Sequence, residues 1–200
     1  MYDSLIAYFK NHSVTPLTES DIDLIRDVFV IKKIRRHQYL LQEGQVCKYS
    51  AFIVKGAMRQ FSIDDKGAEH IIRLSVENWW VVDRESWARQ TPSEYNIDAW
   101  EDSTLLLMTS ADYWNRLHCI PAVNETTKKM DENYAIAIQK RVSSISLSAE
   151  ERYAQLAKAH PEFLQRFPQH IIASYLGIAK ETLSRIRRSH QTSGRAKGMK

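Results

Sequence analysis

The sequence predicts an α+β protein in which an antiparallel β unit comes first and a mainly helical part follows. Between about residues 30 and 109, short runs of β-favouring residues alternate with turn residues, which is typical of a small antiparallel sandwich or barrel. Outside that region, apolar residues recur at the spacing of an amphipathic helix. The chain has 200 residues, 44% of them hydrophobic and 26% charged, which suits a folded protein of one domain or two modest ones.

A short helix is predicted at residues 18–30, ahead of the β unit. Thr18 is its expected N-cap, and Asp21 stands at the third helical position, as in a capping box. Seven strands are then predicted, at residues 30–34, 49–54, 58–63, 70–76, 79–82, 95–100 and 104–108. Turn residues such as Lys55-Gly56 separate these strands.

The helical period returns after Thr109, first in a short segment capped by Ser110 and then in a long helix opened by Pro121. The apolar stripe of the long helix consists of Val123, Thr127, Met130, Tyr134, Ala137 or Ile138, Arg141 and Ile145. Because this stripe is narrow over roughly seven turns, it favours a dimer seam; a helix lying flat on the β unit is the alternative. A second capping box, Ser148 with Glu151, predicts a domain boundary near residue 147.

Basic residues are concentrated at the C-terminal end of the sequence. Residues 180–200 hold seven lysines and arginines but one acidic residue, whereas the rest of the chain has a net charge of −2, since the whole chain is +4. A mildly acidic body with one basic end is typical of a protein that meets a polyanion at that end. A solubilising tail is the alternative interpretation of the charge alone.

Residues 168–188 match the pattern of a helix-turn-helix. The turn of this motif needs a residue that adopts a left-handed conformation easily, and Gly177 supplies it. The residue four positions earlier must be small so that the two helices can cross closely, and Ala173 fits. The predicted core of the motif consists of Ile172, Ala173, Leu176, Gly177, Ile178, Leu183 and Ile186.

The second helix of the motif presents a polar face suited to DNA. Lys180 and Arg185 can donate to guanine O6 and N7, and Glu181 can accept from cytosine N4. An acidic residue facing a polyanion costs affinity unless it meets a base-edge donor, so Glu181 favours sequence-specific contacts. The residues predicted to contact phosphates are Ser174, Thr182, Ser184, Arg187 and Arg188.

The stretch from Ile172 to Arg185, and above all Glu181-Thr182-Leu183-Ser184-Arg185, resembles the recognition motif of the Crp/Fnr family of transcription regulators. The resemblance implies a cyclic-nucleotide-binding-like jelly roll (the β-roll) at residues 1–120, a dimerisation helix at residues 121–147 and a winged-type helix-turn-helix domain at residues 148–200. It also implies that residues 180, 181 and 185 read a half-site, that a homodimer binds double-stranded DNA at a palindromic operator, and that RNA polymerase is a further partner.

The effector site departs from the pattern of the family. Cyclic-nucleotide binders have a Gly-Glu pair where this chain has Val81-Val82, and an Arg-Ser/Thr-Ala segment where it has Ser93-Glu94-Tyr95. Glu94 would place a like charge beside a phosphate, so cyclic AMP is not expected as the ligand, although Arg73, Arg84 or Arg89 could supply a cation from elsewhere. The residues of a possible pocket for an unknown small-molecule effector are Arg73, Trp79, Trp80, Val81, Val82, Ser93, Glu94 and Tyr95. The aromatic residues among them fit an ordinary core equally well.

Other classes of protein find less support in the sequence. A cupin-like enzyme needs two histidines one residue apart to hold its metal, and none of the seven histidines has that spacing. No phosphate-binding loop is present, so no enzyme activity and no metal are expected; haem stays open. A helix-turn-helix that serves as a protein-interaction adaptor is the other alternative, because little sequence follows the recognition helix to build a wing.

The sequence also predicts where the protein resides. No apolar run approaches the ~20 residues of a membrane span, and the N-terminus lacks the basic residues of a secretory signal. Cys47 and Cys119 stand far apart without metal-binding spacing and are expected to be reduced packing residues. A cytoplasmic protein is therefore expected.

Overall fold

The computed structural model describes the backbone of residues 1–197 and the side chains of residues 1–189. The N-terminal part contains α1 (Tyr2–His12), α2 (Glu19–Val28), β1 (Val30–Ile34), β2 (Tyr39–Leu41), β3 (Tyr49–Lys55), β4 (Met58–Ile63), β5 (Glu69–Ser75), β6 (Trp80–Val81), α3 (Arg84–Arg89), β7 (Asn96–Ala99) and β8 (Ser103–Thr109). The helical part contains α4 (Ser110–Asp112), a π-helical turn (Tyr113–Leu117), α5 (Pro121–Ser143), a 3₁₀ turn (Ser144–Ser146), α6 (Ala149–Ala159), α7 (Pro161–Arg166), α8 (Gln169–Leu176) and α9 (Lys180–Lys197).

The described strands form two four-stranded antiparallel sheets that face each other. One sheet has the order β1-β8-β3-β6 and the other β2-β7-β4-β5, so β5 lies at a sheet edge. Buried apolar side chains such as Ile53, Met58, Ile97 and Leu105 fill the space between the sheets. The predicted β-roll is therefore confirmed, and all seven predicted strands are present.

Two helices begin where the sequence predicts, and a third begins one residue earlier. Both capping boxes form, Thr18 with Asp21 at the start of α2 and Ser148 with Glu151 at the start of α6. The cap of α4 is Thr109 rather than the predicted Ser110. Thr109 has an extended backbone and its hydroxyl accepts the Asp112 N–H at 3.0 Å, whereas Ser110 is already helical.

Helices α1, α3 and α7 and the short strand β2 are absent from the predicted set. Leu5 and Phe9 of α1 pack on the outer face of the first sheet, against Phe52 of β3. Their spacing of four was the available sequence signal for α1.

The predicted wing is not found in the part of the chain that the structure describes. Residues 149–197 contain helices and no strand, because the residues that would have to turn back as a hairpin continue α9 to Lys197. The last three residues of the predicted DNA-binding domain, 198–200, lie outside the described residues.

The β-roll and the C-terminal helices share one apolar core. Phe61, Ile71 and Trp100 of the β-roll pack in the same buried cluster as Phe163 of α7 and Leu183 of α9. This cluster crosses residue 147, where the sequence predicts a domain boundary, so the C-terminal helices are docked on the β-roll in this conformation. No helix within residues 1–197 has both the length and the apolar character of a membrane span.

Candidate nucleic-acid interface

The turn between α8 and α9 has the geometry that the sequence predicts. Gly177 adopts φ 65° and ψ 40°, the left-handed region that residues with a Cβ rarely occupy. The N–H of Ile178 donates to the carbonyl of Ala173 at 3.0 Å, and the N–H of Gly177 donates to that of Ser174 at 3.0 Å. These two bonds form a Schellman motif, which ends α8 and turns the chain into α9.

An arginine from a neighbouring helix supports this turn. Nη1 of Arg152, on α6, donates to the carbonyl of Leu176 at 2.8 Å, at the end of α8. A guanidinium at this position neutralises the partial negative charge of the helix C-terminus and satisfies one of its free carbonyls. Arg152 was not among the predicted site residues, because it lies 24 residues from the carbonyl that it contacts.

The predicted core of the helix-turn-helix is buried, apart from the turn. Ile172, Ala173, Leu183 and Ile186 are at most 2% exposed, and Leu176 is 9% exposed. The two other predicted members differ: Ile178 is half-buried at the edge of the same cluster, and Gly177 is exposed at the turn. The packing fixes α9 against α8 and leaves one side of α9 open to solvent.

The open side of α9 carries the predicted base-contacting residues. Lys180, Glu181, Arg185 and Arg188 are exposed, and the last three recur at steps of four and three along one helix face. Glu181, Thr182, Arg185 and Arg188 line an open depression of about 480 Å³. The half-buried residues among the predicted contacts of α9 are Thr182, Ser184 and Arg187. The side chains of the basic residues at 195, 197 and 200 lie outside the described residues.

Ser174 does not have the position predicted for a phosphate contact. Its hydroxyl accepts the N–H of Ile71 at 3.0 Å and donates to the carbonyl of Glu69 at 3.1 Å. Both partners lie in β5, whose outer edge has no neighbouring strand in the sheet. Ser174 therefore satisfies free backbone groups of a sheet edge and ties α8 to the β-roll.

Arg141 of α5 contacts the same edge strand. Its guanidinium donates to the carbonyls of Ile71 and Ile72 and stacks on the ring of Tyr175, 5.2 Å from the ring centroid. The pairing of β5 with β4 shifts register at Ile72. The edge of β5 is thus held by both α5 and α8.

A second junction joins α7 to the β-roll through Arg166. Its guanidinium forms two hydrogen bonds to Glu101 and two to Glu77, with N–O distances of 2.6 and 3.0 Å to Glu101. Burial would raise the pKa of Glu77, but hydrogen bonds from Arg166 and from the Gly56 N–H outweigh it and hold that pKa below its ordinary value. The Arg166 carbonyl also accepts the indole N–H of Trp100 at 3.2 Å. At the Arg166 junction, the ion pairs and the neighbouring apolar core both join α7 to the β-roll.

The residues predicted as an effector pocket do not form one site. Trp79 packs against His160 and Phe163 in the core that joins the β-roll to the helices, whereas Trp80 packs in the core beneath α1. Trp79 directly precedes β6 and Trp80 is its first residue; adjacent residues of extended backbone point to opposite faces, so the two indoles lie on opposite sides of the chain. Val81 and Val82 belong to the core between the sheets.

The segment Ser93-Glu94-Tyr95, which aligns with the phosphate-binding residues of the family, makes hydrogen bonds within the chain. The Ser93 hydroxyl donates to the Asp83 carboxylate at 2.6 Å and accepts the N–H of Tyr95 at 3.0 Å. Glu94 is exposed. Arg73 lies on β5, with its guanidinium 5.7 Å from the ring centroid of Tyr134 on α5. Among the described residues, no group of three or more His, Cys, Asp or Glu side chains could hold a metal ion.

The fold and the exposed helix together define a class of protein, a β-roll joined through a long helix to a helix-turn-helix. Residues 31–118 match the family model of the cyclic nucleotide-binding domain. The chain as a whole has the fold of the Crp/Fnr transcription regulators, as the resemblance of its recognition motif implied. No curated protein sequence matches the chain.

Three solved structures illustrate this similarity. FixK2 from Bradyrhizobium japonicum is 17% identical with a TM-score of 0.73, and the match covers 84% of this chain and 86% of that one. A protein from Eubacterium rectale described as belonging to the Crp/Fnr family is 18% identical with a TM-score of 0.65, covering 89% and 85%. The catabolite activator protein of Thermus thermophilus is 19% identical with a TM-score of 0.55, covering 89% and 85%.

Proposed function

We propose that this chain is a transcription regulator that binds a palindromic DNA operator as a homodimer through α9. The observation that carries the proposal is the exposed row of Glu181, Arg185 and Arg188, with Lys180 beside it, on the second helix of a well-packed helix-turn-helix. An arginine fork and a carboxylate on one helix face suit the donor and acceptor groups of base edges in the major groove.

The DNA contact that we propose for each residue of α9 follows from the chemistry of its side chain. Arg185 and Lys180 read guanine, Glu181 reads cytosine, and Arg187 and Arg188 contact phosphates. Thr182 and Ser184 are half-buried on the same helix and are proposed to contact phosphates as well. Ser174 is left out of the DNA contacts, since its hydroxyl is bonded to the β5 backbone.

Selection of bound DNA from a random pool tests this proposal, followed by binding to single-base variants of the selected site. Arg185→Ala is expected to cost about 1–3 kcal/mol and to relax preference at one base position. Arg188→Ala is expected to weaken all sequences alike and to reduce the salt dependence by about one unit per lost phosphate contact. Arg89→Ala removes an exposed arginine far from α9 and serves as the control. Uniform weakening by Arg185→Ala would contradict base recognition.

The dimer is proposed to form through the C-terminal half of α5. Ile138 and Val142 of α5 and Ile145 of the 3₁₀ turn that follows it are spaced at steps of four and three and are 46%, 62% and 75% exposed. An exposed apolar stripe at this spacing matches the seam of a helical pair. The N-terminal half of α5 is different, because Val123 and Thr126 are buried on the β-roll.

Sedimentation of two matched variants tests the seam. Val142→Glu is expected to convert the dimer into a monomer, because the charge would be buried between two helices. Ile63→Glu is the control, since Ile63 is an apolar residue on β4 that is also 43% exposed but lies away from α5. A wild-type monomer at tens of micromolar would contradict the dimer, and failure to retain DNA at any salt concentration would favour the adaptor alternative.

A further inference from the structure

One side chain of α6 reaches the point where α8 turns into α9. Arg152 is the fourth residue of α6, whose start is fixed by the capping box of Ser148 and Glu151. Its Nη1 donates to the carbonyl of Leu176, the last residue of α8, at 2.8 Å. The firmly placed start of α6 therefore holds the end of α8 from outside the helix-turn-helix.

This contact meets a need that α8 does not meet by itself. The last turn of α8 contains no basic residue. The two backbone bonds of the turn are accepted by the carbonyls of Ala173 and Ser174, and not by that of Leu176. Carbonyls at the end of a helix carry a partial negative charge, which a cation from another element can neutralise. Arg152 thus supplies both the charge and the donor that the sequence of α8 lacks.

The apolar packing of α6 against α9 does not by itself define the direction of α9. Leu156 of α6 belongs to the same buried cluster as Leu183 and Ile186 of α9. Apolar contacts are non-directional, whereas a hydrogen bond fixes the distance and the angle between two groups. The bond from Arg152 is therefore the directional contact between α6 and the turn that leads into α9.

The direction of α9 decides where its base-contacting side chains lie. Lys180 to Arg188 spans about 12 Å of helix, so a tilt of about 10° at the turn would move Arg188 by about 2 Å, more than a hydrogen bond tolerates. We propose that Arg152 is a positioning residue for DNA recognition: by holding the end of α8, it sets the direction of α9 and so the placement of Glu181 and Arg185, without touching DNA itself. This role rests on the proposed function, in which those two side chains read bases.

The other side of the guanidinium indicates that Arg152 contributes more to placement than to the stability of the fold. Its buried Nε–H has no hydrogen-bond partner among the described residues. An unsatisfied buried donor costs free energy, which offsets part of what the bond to Leu176 contributes. Arg152→Met removes both, so its net effect on global unfolding is expected to be small. Local opening of the turn breaks the Leu176 bond while α6 stays folded, so the loss is not offset there.

Amide hydrogen exchange of the full chain without DNA measures the turn directly. The groups to follow are the N–H groups of Gly177 and Ile178, which donate the two backbone bonds of the turn, with strand β4 as the internal reference. Arg152→Met is expected to speed their exchange at least about fivefold, the effect of losing one net hydrogen bond, and to leave β4 unchanged. Arg152→Lys keeps a donor for the same carbonyl and is expected to restore most of the protection. Lys158→Met, which removes an exposed cation from the other end of α6, is the matched control.

Binding of the same variants to the selected operator and to an unrelated duplex, at several salt concentrations, measures the consequence for recognition. Arg152→Met is expected to lower operator affinity at least about tenfold, since both half-sites lose well-placed base contacts. Its affinity for unrelated DNA is expected to change less than about twofold, with the same salt dependence, because no phosphate contact is removed. Its melting temperature is expected to stay within about 4 °C of the wild type, so unfolding does not account for the loss. Arg152→Lys is expected to regain operator affinity.

Several results would overturn the proposal. Unchanged exchange at the turn in Arg152→Met would show that the contact does not hold it, and equally faster exchange in β4 would make Arg152 a general stabilising residue. Equal weakening on both duplexes with a reduced salt dependence would make it a phosphate contact, and full operator affinity despite a loosened turn would remove its role in recognition. If the wild-type chain itself binds no DNA, the proposed function fails and the recognition role fails with it, while the exchange measurement still decides whether Arg152 holds the turn. A loss confined to the Arg152 variants leaves the proposed function standing.

Discussion

The Arg166 junction offers the sharpest test of how the C-terminal helices are held on the β-roll. Arg166→Met removes the guanidinium but keeps most of the apolar stem and the backbone carbonyl that accepts the Trp100 N–H. The variant loses four hydrogen bonds to Glu77 and Glu101 and leaves these two carboxylates without their shared cation. The lost contacts lie between elements that are far apart in the chain.

The magnitude follows from the exposure of the three side chains. Arg166 is 23% exposed, whereas Glu77 and Glu101 are 36% and 37% exposed, so solvent screens both pairs in part. Exposed pairs contribute about 0–1 kcal/mol and broken buried pairs cost about 3–5 kcal/mol. A doubly paired, half-buried arginine falls between these limits. We therefore expect a loss of about 1–3 kcal/mol, or roughly 2–12 °C in melting temperature for a chain of this size.

Urea and thermal unfolding measure this loss, with Arg89→Met as the control. Arg89 pairs with Glu85, and both side chains are at least 70% exposed, so this variant is expected to change stability by less than about 0.5 kcal/mol. A double-mutant cycle between Arg166→Met and Glu77→Gln isolates the pair. If Arg166→Met is as stable as the wild type, the ion pairs do not hold the two parts together and the apolar core alone does so.

Three further outcomes can be measured. The pKa of Glu77 lies below its ordinary 4.5 in the folded chain, so the ionised carboxylate stabilises the fold above pH 4.5 and this stabilisation is lost as the pH falls through the lowered pKa. Glu77→Gln should therefore make the free energy of unfolding depend less on pH in the acid range. Identical acid unfolding curves for Glu77→Gln and the wild type would refute this. Gly177→Ala should cost about 1–2 kcal/mol of stability and weaken DNA binding, because alanine is strained in the left-handed backbone conformation. The added Cβ itself has room, since the nearest atom, Nη1 of Arg152, is 3.6 Å away. Unchanged stability and affinity would argue against a strained turn. Burial raises the Cys47 pKa to about 11, so a thiol reagent at pH 8 should label Cys119 quickly and Cys47 only after unfolding, whereas two fast thiols in the native protein would contradict its burial.

The sequence determined the features that depend on near neighbours. The Thr18–Asp21 and Ser148–Glu151 capping boxes, the left-handed Gly177 and the alternation of the strands each involve residues a few positions apart. Their physical causes are local hydrogen bonds and backbone preferences, which a short segment already carries. The period of two also implied that Trp79 and Trp80 face opposite sides of their strand, so their assignment to one pocket was wrong on grounds available in the sequence.

Tertiary structure alone decided the partners that lie far apart in the chain. Ser174 meets the backbone of Ile71 across 103 residues, and Arg166 meets Glu77 across 89. A serine on a polar helix face suits a phosphate and a sheet edge equally well, and the path of the chain selects between them. Local preferences do not encode that path, because it is set by the burial of one apolar core shared between the β-roll and the C-terminal helices.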